Sequence, residues 1–203
     1  MRLIDTHSHL FLEEFSEDFP QVIERARAAG VTHIFMPNID STTIEAMLSA
    51  CSVYKGYCFP MIGLHPTSVN ANYEKELEIV APELKFSKEY VAIGEIGMDL
   101  YWDKTYLKEQ QIVLDKQVNW ALEYDLPIVI HCRDAFDYIY KVLEPYKKTP
   151  LRGIFHSFTG TAEEATRVLE FSDFFIGING VVTFKKSHLP EILAGIPLEK
   201  IVL

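Results

Sequence analysis

Eight short β-rich apolar runs recur along the 203-residue chain, with amphipathic stretches between most of them, and this alternation constrains the fold more than any other feature. The runs are "RLID" (2–5), "VTHIFMP" (31–37), "CFPMIGL" (58–64), "YVAIGEI" (90–96), "PIVIH" (127–131), "RGIFH" (152–156), "FFIGI" (174–178) and "KIVL" (200–203). Helical patterns such as "SEDFPQVIERARAAG", "YLKEQQIVLDKQVNWALEYD" and "AFDYIYKVLEPYKK" separate them, with apolar residues at i, i+3, i+4 and i+7.

Strands alternating with helices argue for a parallel sheet, and eight is the number that closes a (β/α)8 TIM barrel. An open doubly wound sheet fits less well, because no Gly-x-Gly-x-x-Gly follows the first run. The eighth run reaches Leu203 with no helix behind it, so the expected fold is an α/β barrel lacking its final helix. No linker, charge block or low-complexity segment divides residues 1–203, which read as a single domain.

A hydrophobic content of 48% is enough for one large core. The net charge of −10 excludes the broad basic surface of a protein that grips a long duplex, so a polyanionic partner would have to be held locally. Three cysteines, Cys51, Cys58 and Cys132, lack zinc-site spacing and fit a reducing compartment, which makes the cytoplasm the expected location. The N-terminus does not read as a signal peptide, and the longest apolar stretch, "FFIGINGVVTF", is too short to span a bilayer. No membrane partner is expected.

In a barrel the active site lies at the C-terminal ends of the strands. The polar residues there are His7 and His9 in "DTHSHL", His65 in "GLHP", Glu95 and Asp99 in "GEIGMD", His131, Arg133 and Asp134 in "IHCRD", and His156 in "FHSFTG". Along a strand, residues i and i+2 leave the same face about 6.6 to 6.8 Å apart, so His7 and His9 can address one spot. Any one of these residues is ordinary by itself. Together they are what a binuclear site uses, imidazoles for borderline divalent metals and a carboxylate able to bridge two ions. Arg133 suits a phosphate by its position. Phe11, Tyr101, Trp102 and Phe158 stand near strand ends as candidate stacking platforms for bases. Cys132 alternates to the opposite strand face and is expected to pack under the helices. His33 and His188 read as structural, and the paired glutamates and lysines as solvated helix faces.

The motifs "DTHSHL", "IGLHP", "VAIGEIGMDLYW", "IHCRD", "FHSFTG" and "INGVVTFK" closely resemble those of the TatD-like metal-dependent deoxyribonucleases, a branch of the amidohydrolase superfamily built on the TIM barrel. The resemblance implies two divalent ions, Mg, Mn or Zn, with His7 and His9 on the first, His131 and His156 on the second, and Glu95 between them. It implies hydrolysis of DNA phosphodiester bonds by a water activated at the two metals, in an exonuclease acting on single-stranded or frayed ends. His65, Asp99 and Arg133 match motif positions near the site. With Glu95, His65 and Asp99 form the expected catalytic set, and Arg133, His65 and Trp102 the expected substrate contacts. In the family the last strand continues into a Glu-Thr-Asp segment whose aspartate ligates a metal, whereas this sequence stops at "KIVL". The resemblance therefore implies a chain cut just before that ligand, with a weakened first metal site and apolar surface along its first and last strands. Two alternatives stay open: a related hydrolase of a small amide, lactone or phosphoester, and a weakened remnant that binds nucleic acid without turnover.

Overall fold

In the computed structural model, which describes residues 2–203, the strands are β1 (Leu3–Asp5), β2 (Val31–Pro37), β3 (Cys58–Met61), β4 (Ile93–Asp99), β5 (Ile128–Arg133), β6 (Gly153–Phe155), β7 (Phe174–Gly177) and β8 (Ile201–Val202). The helices are α1 (Phe19–Ala28), α2 (Ile44–Val53), α3 (Tyr73–Val80), α4 (Leu107–Glu123), α5 (Phe136–Leu143), α6 (Ala162–Val168) and α7 (Leu189–Leu193). All strand pairings are parallel, in the orders β1-β2-β3 and β4-β5-β6-β7-β8. Contacts at two seams join these sheets into a barrel. Ile62 bridges Ile93 in parallel beyond β3, and Thr6 N donates to Leu203 O at 3.0 Å between β1 and β8.

Each strand falls on an expected run, with one shift that bears on the site. The fourth strand occupies 93–99 and not 90–96, because Tyr90 is drawn back to the preceding 3-10 segment, where its hydroxyl donates to Glu83 at 2.7 Å. Glu95 thus lies inside β4 and Asp99 at its end. All seven residues of β4 are buried, which explains an apolar run without alternation. Gly97 pairs with His131 of β5 at φ +133°, where a Cβ would sit 2.0 Å from His131 O. Only glycine permits that backbone approach.

Buried amides take over where the strands stop. Gln110 and Gln117 lie two turns apart on the apolar face of α4. Gln117 accepts from Leu64 N at 2.7 Å and donates to Leu64 O at 3.2 Å; Gln110 accepts from Asp99 N at 2.9 Å and donates to Asp99 O at 3.2 Å. Each amide satisfies backbone groups that a neighbouring strand would otherwise pair. Asn38, directly after β2, is fully buried and donates to Gly63 O at 2.8 Å and Asp40 O at 3.0 Å. Its own carbonyl accepts from Glu95 N at 3.2 Å, and its N–H donates to Met61 O and Gly94 O at 3.2 Å. The ends of β2, β3 and β4 are therefore locked together at the level where the polar residues begin.

Val129 lies on the strand face that carries His131 and packs with Met61, Ala92 and Phe35. An apolar groove lined by Leu3, Ile4, Phe35, Ile154, Phe175 and Val202 runs beside β1 and β8, with Ile4 45% exposed. Among the described residues, no helix is long and apolar enough to cross a membrane.

Gln117→Leu conserves size but leaves the buried Leu64 N–H and C=O without partners. At about 1 to 3 kcal/mol for each of the two stranded groups, urea denaturation should show a loss of roughly 2 to 6 kcal/mol. An unchanged midpoint would mean that the amide does not anchor this strand end.

Candidate metal centre

Glu95 is the centre of the polar cluster. Its carboxylate is 3% exposed, and Oε2 lies 2.9 Å from His7 Nε2, 3.3 Å from His9 Nε2 and 3.6 Å from His65 Nε2. Oε1 faces His131 Nδ1 at 3.2 Å. His7 and His9 stand just past β1. Asp5 accepts from His7 N at 3.0 Å and Ser8 N donates to Phe35 O at 3.0 Å, which turns the two rings together until their Nε2 atoms are 3.1 Å apart. They are closer than two side chains on a straight strand.

Burial alone would raise the Glu95 carboxyl, but hydrogen bonds with His131, His7 and His9 outweigh it and hold the group well below the usual carboxylate range. His131 shows the opposite balance: burial lowers it, while Glu95 and Asp99 raise it further. Burial pushes His65 down to about 4 and His156 down to about 3, with the neighbouring charges of His131 and His7 respectively adding to the effect. Near neutral pH the cluster therefore joins the ionised Glu95 carboxylate to the neutral rings of His65 and His156, while His131 holds its proton more tightly than a free imidazole and would release it to bind a divalent cation.

The ring nitrogens divide the histidines by role. His7 and His9 keep Nδ1 buried without a partner among the described residues and turn Nε2 to the carboxylate. His131 places Nε2 2.8 Å from Asp99 Oδ2, which leaves Nδ1 toward Glu95. A carboxylate behind an imidazole is the usual device for orienting a metal ligand. His65 differs, because Thr67 N donates to its Nδ1 at 3.2 Å. A backbone N–H can only donate, so the neutral ring carries its proton on Nε2, which lies 3.6 Å from Glu95 Oε2, beyond hydrogen-bond reach.

By distance alone, two groups could each hold an ion: His7, His9 and Glu95, and His65, Glu95 and His131. His156 belongs to neither. Its ring stacks on His7 at 3.4 Å between centroids, and its Nε2 lies 2.9 Å from Ser157 Oγ, which accepts from Asn179 Nδ2 at 2.6 Å.

At the rim, the Arg133 guanidinium lies 3.8 Å from the Tyr101 ring centroid and 5.5 Å from that of Trp102, which is 76% exposed. Phe158 is buried, so it packs and offers no platform, and Phe11 meets His9 edge-on at 5.7 Å. Cys132 is half-buried, its thiol pushed up to about 12 by burial, which leaves it protonated and inert. His33 bonds Thr32 at 3.0 Å and stacks on Phe59 within the barrel. His188 is exposed ahead of α7. The residues that sequence reasoning missed are Asn38, Gln110, Gln117, Thr67, Ser157 and Asn179. For the two glutamines a signal was present, since seven-residue spacing puts both amides on an apolar helix face.

His65 and His156 stay neutral in the folded chain but take up protons near pH 6.5 when it unfolds. Their contribution to stability is complete above pH 6.5 and is lost as pH falls toward 4 and below. Glu95, whose folded value is depressed, adds to the loss as pH falls below 4.5, while the contribution of His131, whose value is raised, is already complete below pH 6.5 and offsets none of it. Urea denaturation of the EDTA-treated chain should lose on the order of a few kcal/mol between pH 6.5 and 4. A flat profile would overturn the neutral assignment of these rings.

Comparison with known proteins agrees with this geometry. The family described as TatD related DNase matches residues 4–203. YabD of Bacillus subtilis (strain 168), named an uncharacterized metal-dependent hydrolase, is 35% identical over 202 residues, covering 99% of this chain and 78% of the relative. A protein of Pantoea sp. (strain At-9b), named 3'-5' ssDNA/RNA exonuclease TatD, is 32% identical over 203 residues, with 99% and 77% covered. The crystal structure of YjjV, the TatD homolog of Escherichia coli K12, superposes with a TM-score of 0.91 at 30% identity, over 100% of this chain and 78% of that one. The match over almost every residue, on a barrel whose strand ends gather histidines about one carboxylate, establishes that the chain belongs to the TatD-related DNase family of metal-dependent hydrolases.

Proposed function

We propose that this chain is a nuclease that hydrolyses phosphodiester bonds at single-stranded or frayed ends of DNA, with two divalent ions at the Glu95 cluster. The observation that carries this is the division of one buried carboxylate, whose Oε2 faces His7 and His9 while Oε1 faces His131. A carboxylate shared in this way suits two ions and not one. His7, His9 and Glu95 would hold the first, and Glu95 and His131, with His156 at the end of β6, the second. When bound, such ions, Mg, Mn or Zn, supply positive charge for phosphoryl oxygens and acidify a water toward neutrality.

The chain's own residues do the rest. Asp99 holds the His131 ring by its Nε2 and keeps the other nitrogen directed inward. His65 is neutral and protonated on Nε2, so it donates a hydrogen bond to an oxygen of the phosphodiester and cannot add charge. Tyr101 and Trp102 present exposed faces to a base, and Arg133, stacked on them, reaches a phosphate. The name of the Pantoea relative supports a nucleic-acid substrate. Attack at an end engages few phosphates, in keeping with a net charge of −10. We place the enzyme in the cytoplasm on its three free thiols, Cys51, Cys58 and Cys132.

End-labelled single-stranded DNA should shorten in Mg²⁺ or Mn²⁺, remain intact in EDTA, and remain intact with the Glu95→Gln variant. Shortening by that variant at the wild-type rate would sink the proposal. Arg133→Ala should raise KM about 10-fold, the equivalent of about 1.4 kcal/mol, with little change in kcat. A fall in kcat at constant KM would place Arg133 at the reacting atoms instead.

A further inference from the structure

The motif "INGVVTFK" ends in a part of the surface that the metal centre does not use. Lys185 and Lys186 were expected on a solvated helix face. They lie instead in a turn between the 3-10 segment Gly180–Thr183 and α7, directly after Phe184. Phe184 is 64% exposed, although the fold buries many of its aromatic rings. An exposed aromatic ring followed by two cations is the combination that binds a single strand, with a base on the ring and phosphates on the amines.

We propose that Phe184, Lys185 and Lys186 form a second contact for single-stranded nucleic acid, at least one nucleotide away from the bond that is cut. This inference rests on the nuclease reading and adds to it where the strand lies. Lys186 lines a cleft of about 530 Å3 with Thr159, Gly160 and Thr161, over an apolar floor that includes Val181 and Leu189. Thr159 and Gly160 also border a cavity of about 310 Å3 that reaches His156. The two hollows share Thr159 and Gly160, so the surface runs unbroken from Lys186 to the loop that carries His156.

The root of the turn is tied to the same histidine. Asn179 accepts from Val181 N at 3.0 Å and donates to Ser157 Oγ, which faces His156 Nε2. Charge favours the same occupant. Among the described residues neither lysine is ion-paired. Of the nearby carboxylates, Glu191 faces His188 at 3.9 Å, Glu164 is engaged by Thr161 N at 2.7 Å and Asp137 by Arg167 at 2.6 Å, which leaves Asp134 beside the smaller cavity.

Order around the barrel completes the argument. Tyr101 and Trp102 follow β4, His131 lies in β5, His156 follows β6 and Phe184 follows β7. Two patches that each combine aromatic rings with cations thus stand on either side of the β5 and β6 histidines. A strand crossing the metal centre touches both, and a single terminal nucleotide touches at most one.

The test is binding of fluorescein-labelled (dT)12 by anisotropy at several salt concentrations, using the full chain with Ca²⁺. It compares wild type with the triple variant Phe184→Ala, Lys185→Ala, Lys186→Ala. All three side chains are exposed, so the fold should persist, and a thermal melt checks it. The expected result is a Kd raised about 10- to 100-fold. The slope of log K against log salt should fall by about 1.4, at about 0.7 per lost phosphate contact on a single strand. Tyrosine at 184 with arginine at 185 and 186 should restore most of the binding. Equal Kd and equal slope in the triple variant would overturn the inference, while shortening of the same oligonucleotide by wild type in Mg²⁺ would leave the nuclease reading standing. A wild type that neither binds nor shortens it would overturn both.

Discussion

The whole active end of this barrel is organised around one buried anion. A carboxylate taken out of water is costly unless charge or hydrogen bonds replace its hydration, and Glu95 receives that replacement from the imidazoles of His7, His9 and His131. Because both oxygens are engaged, a shift of Glu95 disturbs residues from several strands at once. Its backbone is correspondingly fixed by Asn38, whose carbonyl takes the Glu95 N–H and whose side chain holds Gly63. Gly97, two residues on, lets β4 press against β5 where His131 must reach the carboxylate.

The strands are short, several of only two to four residues, so the functional side chains lie mostly past the regular sheet. The protein stabilises those overhangs with side-chain amides in place of further strand pairing. Gln117 holds the backbone before His65, and Gln110 holds Asp99 behind His131. Loops at strand ends are where barrels vary their chemistry, and here rigidity in the loops is supplied from one face of α4. The result is a tightly packed centre about one carboxylate, beneath a rim where Arg133 lies over Tyr101.

Much of this was legible in the sequence. The alternation of strand and helix patterns needs only local periodicity, and the His-x-His pair, Glu95 and His131 stand beside apolar runs that mark strand ends. The start of β4 was not legible, because Tyr90 and Val91 are as β-prone as any residue in the strand, and a hydroxyl bond to Glu83 decides the boundary. Gln117 bonds a residue 53 positions away, and no local rule couples an amide in a helix to a backbone at that distance. The proton position on His65 depends on the turn made by Pro66 and Thr67, which spacing does not encode. His156 sits at the expected strand end, yet its nitrogen faces Ser157, an orientation that only tertiary packing fixes.

The closure between β1 and β8 has a further consequence. It consists of Thr6, whose amide and hydroxyl both bond the carbonyl of Leu203, and β8 itself pairs with β7 through two residues. His7 follows Thr6 directly. The seam between β1 and β8 and one of the central imidazoles are therefore adjacent along the chain, and opening of the seam would carry His7 with it. On the proposed assignment an ion held by His7 and His9 would favour the closed seam by mass action, and slow amide exchange at Thr6 would report it from outside the site.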